Sequence, residues 1–270
     1  MILAVDLGGT HIRWRIGNGK IYKKHTNEIE IIGFLSTILS QNAQITSVGL
    51  AFAGHTKDSI LKSAPNLQIK NLEISKTIKD KFNIPLFCDN DLKCAVRAEA
   101  SIRPNAKSIA TLFIGTGFGG AFMDSGKIVS GSNNLAGEVG HIPFKPSNIL
   151  CGCGKNNCIE IYASGSGVEK QLQAIGYTNK TLAELKNIAP EIYQNFLDAL
   201  THAVSTVVTL LNPTVVVLGG GIIESEPWLL NNIKKGVDIN AFPPSAKNVQ
   251  IEQSTFENAV LEGAAILGAG

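Results

Sequence analysis

Hydrophobic and polar positions change period several times along this chain, and each change marks an element. Between Ile2 and Ile16 two apolar runs flank Asp6-Leu7-Gly8-Gly9-Thr10, and Ile12, Trp14 and Ile16 alternate with Arg13 and Arg15, a pattern that predicts a hairpin turned by glycines. Helical spacing follows over residues 29–39, a buried strand over 45–52, and a second helix over 72–82 with Leu72, Ile74, Ile78 and Phe82 inward. Residues 84–88 read as a short strand and 91–100 as a helix, until Pro104 and Asn105 supply a boundary.

The second half repeats the opening theme. Residues 108–114 form a strand pattern, Gly115-Thr116-Gly117-Phe118-Gly119-Gly120 a glycine turn, and 121–123 the return strand. A strand, glycine turn and strand that occur twice predict two similar lobes, divided as residues 1–105 and 106–270, with a cleft between them as the default ligand site. The region 133–158 has little periodicity, 182–211 is helical, and 214–218 is a β-branched strand running into Gly219-Gly220-Gly221. Residues 256–267 read as a closing helix, able to pack back onto the first lobe. The fold class expected is α/β.

Composition narrows the function classes. With 270 residues, 44% hydrophobic and 17% charged, the chain is globular and long enough for a substantial core. Its 24 Lys+Arg against 22 Asp+Glu give +2 with no basic run, so neither nucleic acid nor an anionic membrane is an expected partner. The longest apolar stretch, 203–223, is broken by Asn212-Pro213 and three glycines, which excludes it as a membrane span. The N-terminus carries no secretory pattern, and five cysteines do not suit a disulfide framework, so a cytoplasmic location is expected.

Three motifs carry candidate chemistry. The glycines after the first strand would let backbone N–H groups approach phosphate oxygens, with Asp6 reaching a hydrated cation and Thr10 donating a hydroxyl; a plain structural hairpin fits the same residues. The second turn, through Gly115, Thr116, Gly117, Gly119 and Gly120, would complete a clamp on a polyphosphate. Gly219 and Gly220 could offer flat backbone to a purine or simply turn a strand into a helix. His141, Cys151, Cys153 and Cys158 form one imidazole and three thiolates, the soft tetrahedral set that zinc prefers, with all four positions filled and hence a structural role. Asp91, at a strand-to-helix junction, is either a helix N-cap or a general base. Glu138 and Glu160 are either solvated loop carboxylates or acceptors for ligand hydroxyls, and Cys88 and Cys94 are core residues.

In this order, Asp6 to Thr10, Gly49 to Gly54, Pro65-Asn66-Leu67, Asn90-Asp91, Gly115 to Gly120, Ala136 to His141, Cys151 to Glu160 and Leu218 to Gly221 resemble the ROK family of sugar kinases nearly end to end. The resemblance implies two actin/hexokinase-type, ribonuclease H-like ATPase lobes, a cytoplasmic homodimer, and transfer of a phosphoryl group from ATP with Mg to a hexose, the 6-hydroxyl of glucose first among acceptors. It assigns Asp91 as catalytic base, Gly54, Asn90, Asp91, Glu138, His141 and Glu160 to the sugar, and Gly8, Gly9 and the other loop glycines to the nucleotide. His141 would then serve twice, with one nitrogen on zinc and the other toward a sugar hydroxyl. N-acetylmannosamine, N-acetylglucosamine and fructose are rival acceptors, and the non-enzyme alternatives are a sugar-sensing regulator, for which no DNA-binding segment precedes residue 6, and a silent sugar binder. The chain departs from the family pattern at His11, where Lys is usual, at His55, where Pro is frequent, and at Leu135, where Gly is usual.

Overall fold

Ile2–Leu7 (β1) is apolar apart from Asp6 and buried along nearly its whole length, as a central strand covered on both faces must be. His11–Ile16 (β2) pairs antiparallel with it, Leu7 opposite Ile12, and Tyr22–His25 (β3) extends the hairpin. Ile31–Gln41 (α1) starts two residues later than the pattern suggests, because the Glu30 carboxylate caps the Ile32 and Gly33 N–H groups. Ser47–Phe52 (β4) lies parallel to β1 with all six residues buried. His55–Lys57 (β5), Ile60–Ala64 (β6) and Leu67–Leu72 (β7) form a small antiparallel sheet, followed by Ile74–Phe82 (α2), Leu86–Asn90 (β8) and Asp91–Ser101 (α3). The computed structural model describes residues 1–64 and 67–270, so the Pro65-Asn66 part of the motif quoted above lies outside the described residues.

The second sheet repeats the first. Ser108–Ile114 (β9) pairs antiparallel with Phe118–Asp124 (β10), which continues to Lys127–Ile128 (β11). After a long loop come Glu160–Ala163 (α4), Gly165–Ala174 (α5), Leu182–Ile188 (α6), Pro190–Leu211 (α7), Val215–Gly219 (β12), Gly221–Ser225 (α8), Leu229–Asn240 (α9), Pro243–Asn248 (α10) and Gln250–Gln253 (β13). The sheet orders are β3-β2-β1-β4-β8 and β11-β10-β9-β12-β13, with the same sequence of antiparallel and parallel pairings. The α/β fold is therefore two copies of one topology.

The chain visits its two units discontinuously. Met1–Pro104, Ser130–Ala136 and Phe256–Gly270 make the first; Asn105–Val129 and Gly137–Thr255 make the second. A single cut after residue 105 therefore describes only the first crossing. The last helix, Ala259–Gly268 (α11), belongs to the first unit, where Ala264 and Leu261 join Ala4, Ala51 and Cys94 in a small apolar cluster.

Several expectations change in detail. The helical run over 182–211 is two helices, because Pro190 drives Ala189 out of the helical region (φ −145°, ψ 62°) and then serves as the first residue of α7. The expected 72–82 helix begins at Ile74, with Leu72 ending β7 instead. The second glycine turn closes within Gly115–Gly117, while Gly119 and Gly120 belong to β10, and Gly120 N–H donates to Gly137 O at 3.1 Å. Cys88 and Cys94 are core thiols as expected: burial pushes Cys88 up to about 12 and raises Cys94 as well, which keeps both unreactive. Among the described residues no helix is long and apolar enough to cross a membrane.

Two glycines decide how α11 seats. A Cβ on Gly263 would stand 1.7 Å from Cys94 O in α3, and one on Gly49 would stand 1.8 Å from Ala264 O, so helix and strand backbones touch directly. Gly263→Ala is expected to cost about 3 kcal/mol through overpacking, lowering the thermal midpoint by roughly 6–12 °C in scanning calorimetry. An unchanged midpoint would mean that α11 is not held by backbone contact.

Candidate active site

In the first unit the chemistry-bearing residues follow β1, β4 and β8. Asp6, near the end of β1, is only 6% exposed, and the Arg13 guanidinium donates to its Oδ2 at 3.1 Å. Gly8 N–H donates to His11 O at 3.0 Å, while the Thr26 hydroxyl donates to Gly8 O at 2.8 Å and Thr26 N–H to Thr10 O at 3.0 Å. The first glycine loop is thus pinned from both strands of the hairpin.

At the β8–α3 junction the structure separates two roles that spacing alone leaves open. Asn90 is the N-cap: its Oδ1 accepts from Leu92 N–H at 3.0 Å and Lys93 N–H at 3.3 Å, and its Nδ2 donates to Gly54 O at 3.3 Å. Asp91 is the first helical residue, half-buried, with Oδ1 accepting from Leu92 N–H at 2.9 Å. Capping therefore accounts for Asn90 and leaves the Asp91 carboxylate beside the positive end of a helix, where a negative charge is favoured. Asn90 and Gly54 are tied to each other as parts of one corner.

A buried network beside that corner has no counterpart in the residue pattern. Lys93 is 2% exposed, and its Nζ donates to Asn134 O at 2.8 Å and also to Asn134 Oδ1. Asn134 Nδ2 in turn donates to Thr56 O at 2.9 Å and to Asp89 Oδ1 at 3.1 Å, and Asp89 pairs with Arg97 at 2.8 Å. The segment Ser130–Ala136 is thereby anchored to α3 two residues beyond Asp91. A lysine at an inward helical position is the one hint available beforehand, and it is weak without a partner in view.

In the second unit the glycine turn between β9 and β10 is held by its neighbours. Gly165 N–H donates to Gly115 O at 2.8 Å and Ser166 N–H to Thr116 O at 3.0 Å. Glu160 Oε2 accepts from Phe118 N–H at 3.2 Å, and Glu160 Oε1 from the Cys151 thiol at 3.4 Å, so one carboxylate spans the turn and the cysteine loop. Gly220 adopts φ 88°, and a Cβ there would lie 2.5 Å from Ile114 O; the turn from β12 into α8 alone is enough to require glycine. Its neighbour Gly219 lies flat against Phe113, where a Cβ would come within 2.7 Å of the ring.

The four residues read as zinc ligands converge. The ligating atoms of His141, Cys151, Cys153 and Cys158 all lie within 4.8 Å of one another, with Cys153 and Cys158 sulfurs 3.4 Å apart and His141 Nδ1 3.5 Å from Cys151 Sγ. Tetrahedral zinc with Zn–S near 2.3 Å sets its sulfur ligands about 3.8 Å apart. The donor set fits that ion. His141 turns Nδ1 towards Cys151 Sγ and Nε2 towards Glu138 Oε2, 3.8 Å away, so the two ring nitrogens face different partners.

The candidate residues thus form two sets: Asp6, Gly8, Gly9, Thr10, Gly54, Asn90 and Asp91 in the first unit, and Gly115 to Gly120, Glu138, His141, Glu160, the cysteines, Gly219 and Gly220 in the second. A groove of the second unit, about 710 Å³ between α7 and α9, is lined by Phe144, Asp198, His202 and Ser205 among others and contains none of them.

A family model described as the ROK family matches residues 2–269. An N-acetyl-D-glucosamine kinase from Mannheimia succiniciproducens is 27% identical over 256 residues, covering 82% of this chain and 84% of its own. A xylose repressor from Bacillus spizizenii is 26% identical over 238 residues, which is 84% of this chain and 62% of the repressor. Among solved structures, a ROK family glucokinase from Streptomyces griseus in complex with glucose and AMPPNP has the same fold, with a TM-score of 0.80 at 22% identity over 99% of both chains.

Two measurements test this site's electrostatics. As a thiol, Cys151 is pushed up to about 12 by burial, and a bound dication needs it as thiolate, so metal affinity must weaken as pH falls. The purified protein is expected to carry zinc stoichiometrically, to lose it to chelators faster at pH 6 than at pH 8, and to lose both metal and thermal stability in Cys153→Ser, whose side chain is exposed. Unchanged metal content in that variant would remove the zinc assignment. Burial also lifts the Asp6 carboxyl above its ordinary range, against the opposing pull of Arg13 and Asn258. Its folded value lies above its unfolded one, so ionised Asp6 costs stability at neutral pH and that cost fades as pH falls. Asp6→Asn should therefore hold or raise the thermal midpoint at pH 7, with the gain shrinking in acid; a midpoint lowered at pH 7 would contradict the account.

Proposed function

Since this chain belongs to the ROK family, we propose that it is an ATP-dependent sugar kinase that phosphorylates a hexose hydroxyl, with Asp91 as general base. The observation that carries the reading is at the β8–α3 junction: Asn90 caps the helix, and the adjacent Asp91 carboxylate, which also accepts from Leu92 N–H, is held at the first turn.

Asp91 would accept the proton of the attacking hydroxyl as the oxygen approaches phosphorus, a role that requires a fixed carboxylate within hydrogen-bond reach. Magnesium-bound ATP supplies the transferable phosphoryl group and, with the metal, the neutralisation of its developing charge. Gly8, Gly9 and Thr10 would orient phosphate oxygens from the first unit, with Asp6 towards the metal's hydration shell, and the turn at Gly115–Gly117 would do so from the second. Gly219 and Gly220 would face the nucleoside. Glu138, Glu160 and the Nε2 of His141 would read sugar hydroxyls, and zinc on Nδ1 would keep the imidazole in one orientation. Glucose, through its 6-hydroxyl, is the acceptor we place first, with N-acetylglucosamine, N-acetylmannosamine and fructose behind it. A homodimer in the cytoplasm completes the reading.

ADP release with magnesium-ATP across glucose, mannose, fructose, N-acetylglucosamine and N-acetylmannosamine tests it directly. Turnover with at least one sugar is expected, and Asp91→Asn should lower kcat by roughly 10²–10⁴-fold while the sugar KM moves little. Sugar binding by calorimetry with no turnover on any of the five would favour a regulator, the class to which the repressor relative belongs.

A further inference from the structure

The hairpin that carries the first glycine loop has two unlike faces. Leu7, Ile12 and Trp14 point into the core side, where Trp14 packs edge-on against Phe34. On the opposite face the register places His11 directly across from His25 and Arg13 directly across from Lys23, with Asp6 next in line beyond Arg13. Further along this face Arg15 is closed off by a bidentate pairing with Glu262 at 2.6 and 2.8 Å, so the basic row lies at the end nearer Gly8–Thr10.

Like charges set directly opposite each other on a sheet destabilise it. Here Arg13 faces Lys23, while the His11 and His25 rings lie 4.5 Å apart between centroids, tilted by 38°. Asp6 is a carboxylate in register with the row, and it is engaged by Arg13. Desolvation first, and then the neighbouring charges of Lys23, His25 and Arg13, hold His11 below the usual histidine value. The row is also rigidly attached to the loop, because Thr26, directly after His25, donates to both Gly8 O and Thr10 O. An anion lying against such a row would relieve the repulsion between its facing cations.

We propose that His11, Arg13, Lys23 and His25 form an anion subsite that takes phosphate groups of a linear polyphosphate chain lying along Gly8–Thr10. The inference rests on the phosphate-loop reading above and deepens it, extending the donor site from position 11, where the family pattern carries Lys, along the hairpin face to Arg13, Lys23 and His25. The shared chemistry is a run of phosphate oxyanions, whether from a nucleoside triphosphate or from a free inorganic chain. Arginine and lysine supply charge, and the two imidazoles supply N–H donors.

Calorimetric titration of the full-length protein with tripolyphosphate and, separately, with ATP at low ionic strength tests the subsite without any need for turnover. The double variant Lys23→Gln/His25→Gln, at two exposed positions, is expected to lose roughly tenfold in tripolyphosphate affinity, a loss that fades with added salt. Lys24→Gln makes the same charge change on the other face of β3, opposite Ile12, and should stay within about twofold of the wild type. A parallel loss with ATP would assign the subsite to nucleotide phosphates; a loss confined to tripolyphosphate would assign it to free chains. Equal losses in Lys24→Gln, or none in the double variant, would overturn the proposal. A wild type that binds tripolyphosphate through this row yet phosphorylates no sugar would sink the kinase reading and leave the subsite standing.

Discussion

Strands covered on both faces can present chemistry only at their ends, and this constraint organises both units. β1, β4, β9 and β12 are buried along most or all of their length, so no side chain in their middle can meet a ligand. Parallel pairing brings the C-terminal ends of β1, β4 and β8 to one edge of the first sheet, and those of β9 and β12 to one edge of the second. Asp6 and the first glycine loop, Gly54, Asn90-Asp91, the Gly115–Gly117 turn and Gly219-Gly220 all sit at such ends. Ligands of open parallel sheets gather there for the same reason. The duplication of topology therefore duplicates the place where function can be put.

Within that frame the polar groups that are expensive to bury are spent on holding loops. Lys93 would be costly as an isolated buried cation, yet its contacts with Asn134 make it the anchor of a segment that otherwise has little regular structure. Glu160 does comparable work in the second unit, where one carboxylate joins the Phe118 amide to the Cys151 thiol. A metal bound by the neighbouring cysteines would fix the same loop from its other side. Both arrangements convert flexible, glycine-rich chain into preorganised geometry, which is what phosphoryl transfer chiefly asks of a protein.

How much of this was legible in the sequence follows from how local each signal is. The glycine loop after β1, the Cys/His set and the Asn90-Asp91 pair are short-range patterns, and the structure finds the first two where they were read and assigns the cap within the third to Asn90. The sheet β5-β6-β7 went unread because its first turn uses Asp58 and Ser59 at positive φ in place of the usual Asn-Gly, which removes the hairpin signature. The Lys93–Asn134 network joins residues 41 apart in sequence and has no periodicity to betray it. The row of His11, Arg13, Lys23 and His25 becomes visible only once the register of β2 with β3 is fixed, since a slip of one residue would send every member to the other face.

On the kinase reading, the same distinction would bear on which sugar is accepted. Family membership and fold are fixed by glycines and buried strands, which many chains share; acceptor choice depends on a few hydroxyl contacts whose loss is felt individually. Leu135, which can offer bulk but no hydrogen bond, is a candidate for shaping the space around such contacts. It is 44% exposed, and the residue before it, Asn134, is held at φ 61° by Lys93, Thr56 and Asp89. An apolar side chain kept in the open by a buried polar network is a position the fold does not need for its core. Its bulk, where the family pattern has glycine, can therefore vary with the acceptor while the anchor beneath it stays fixed.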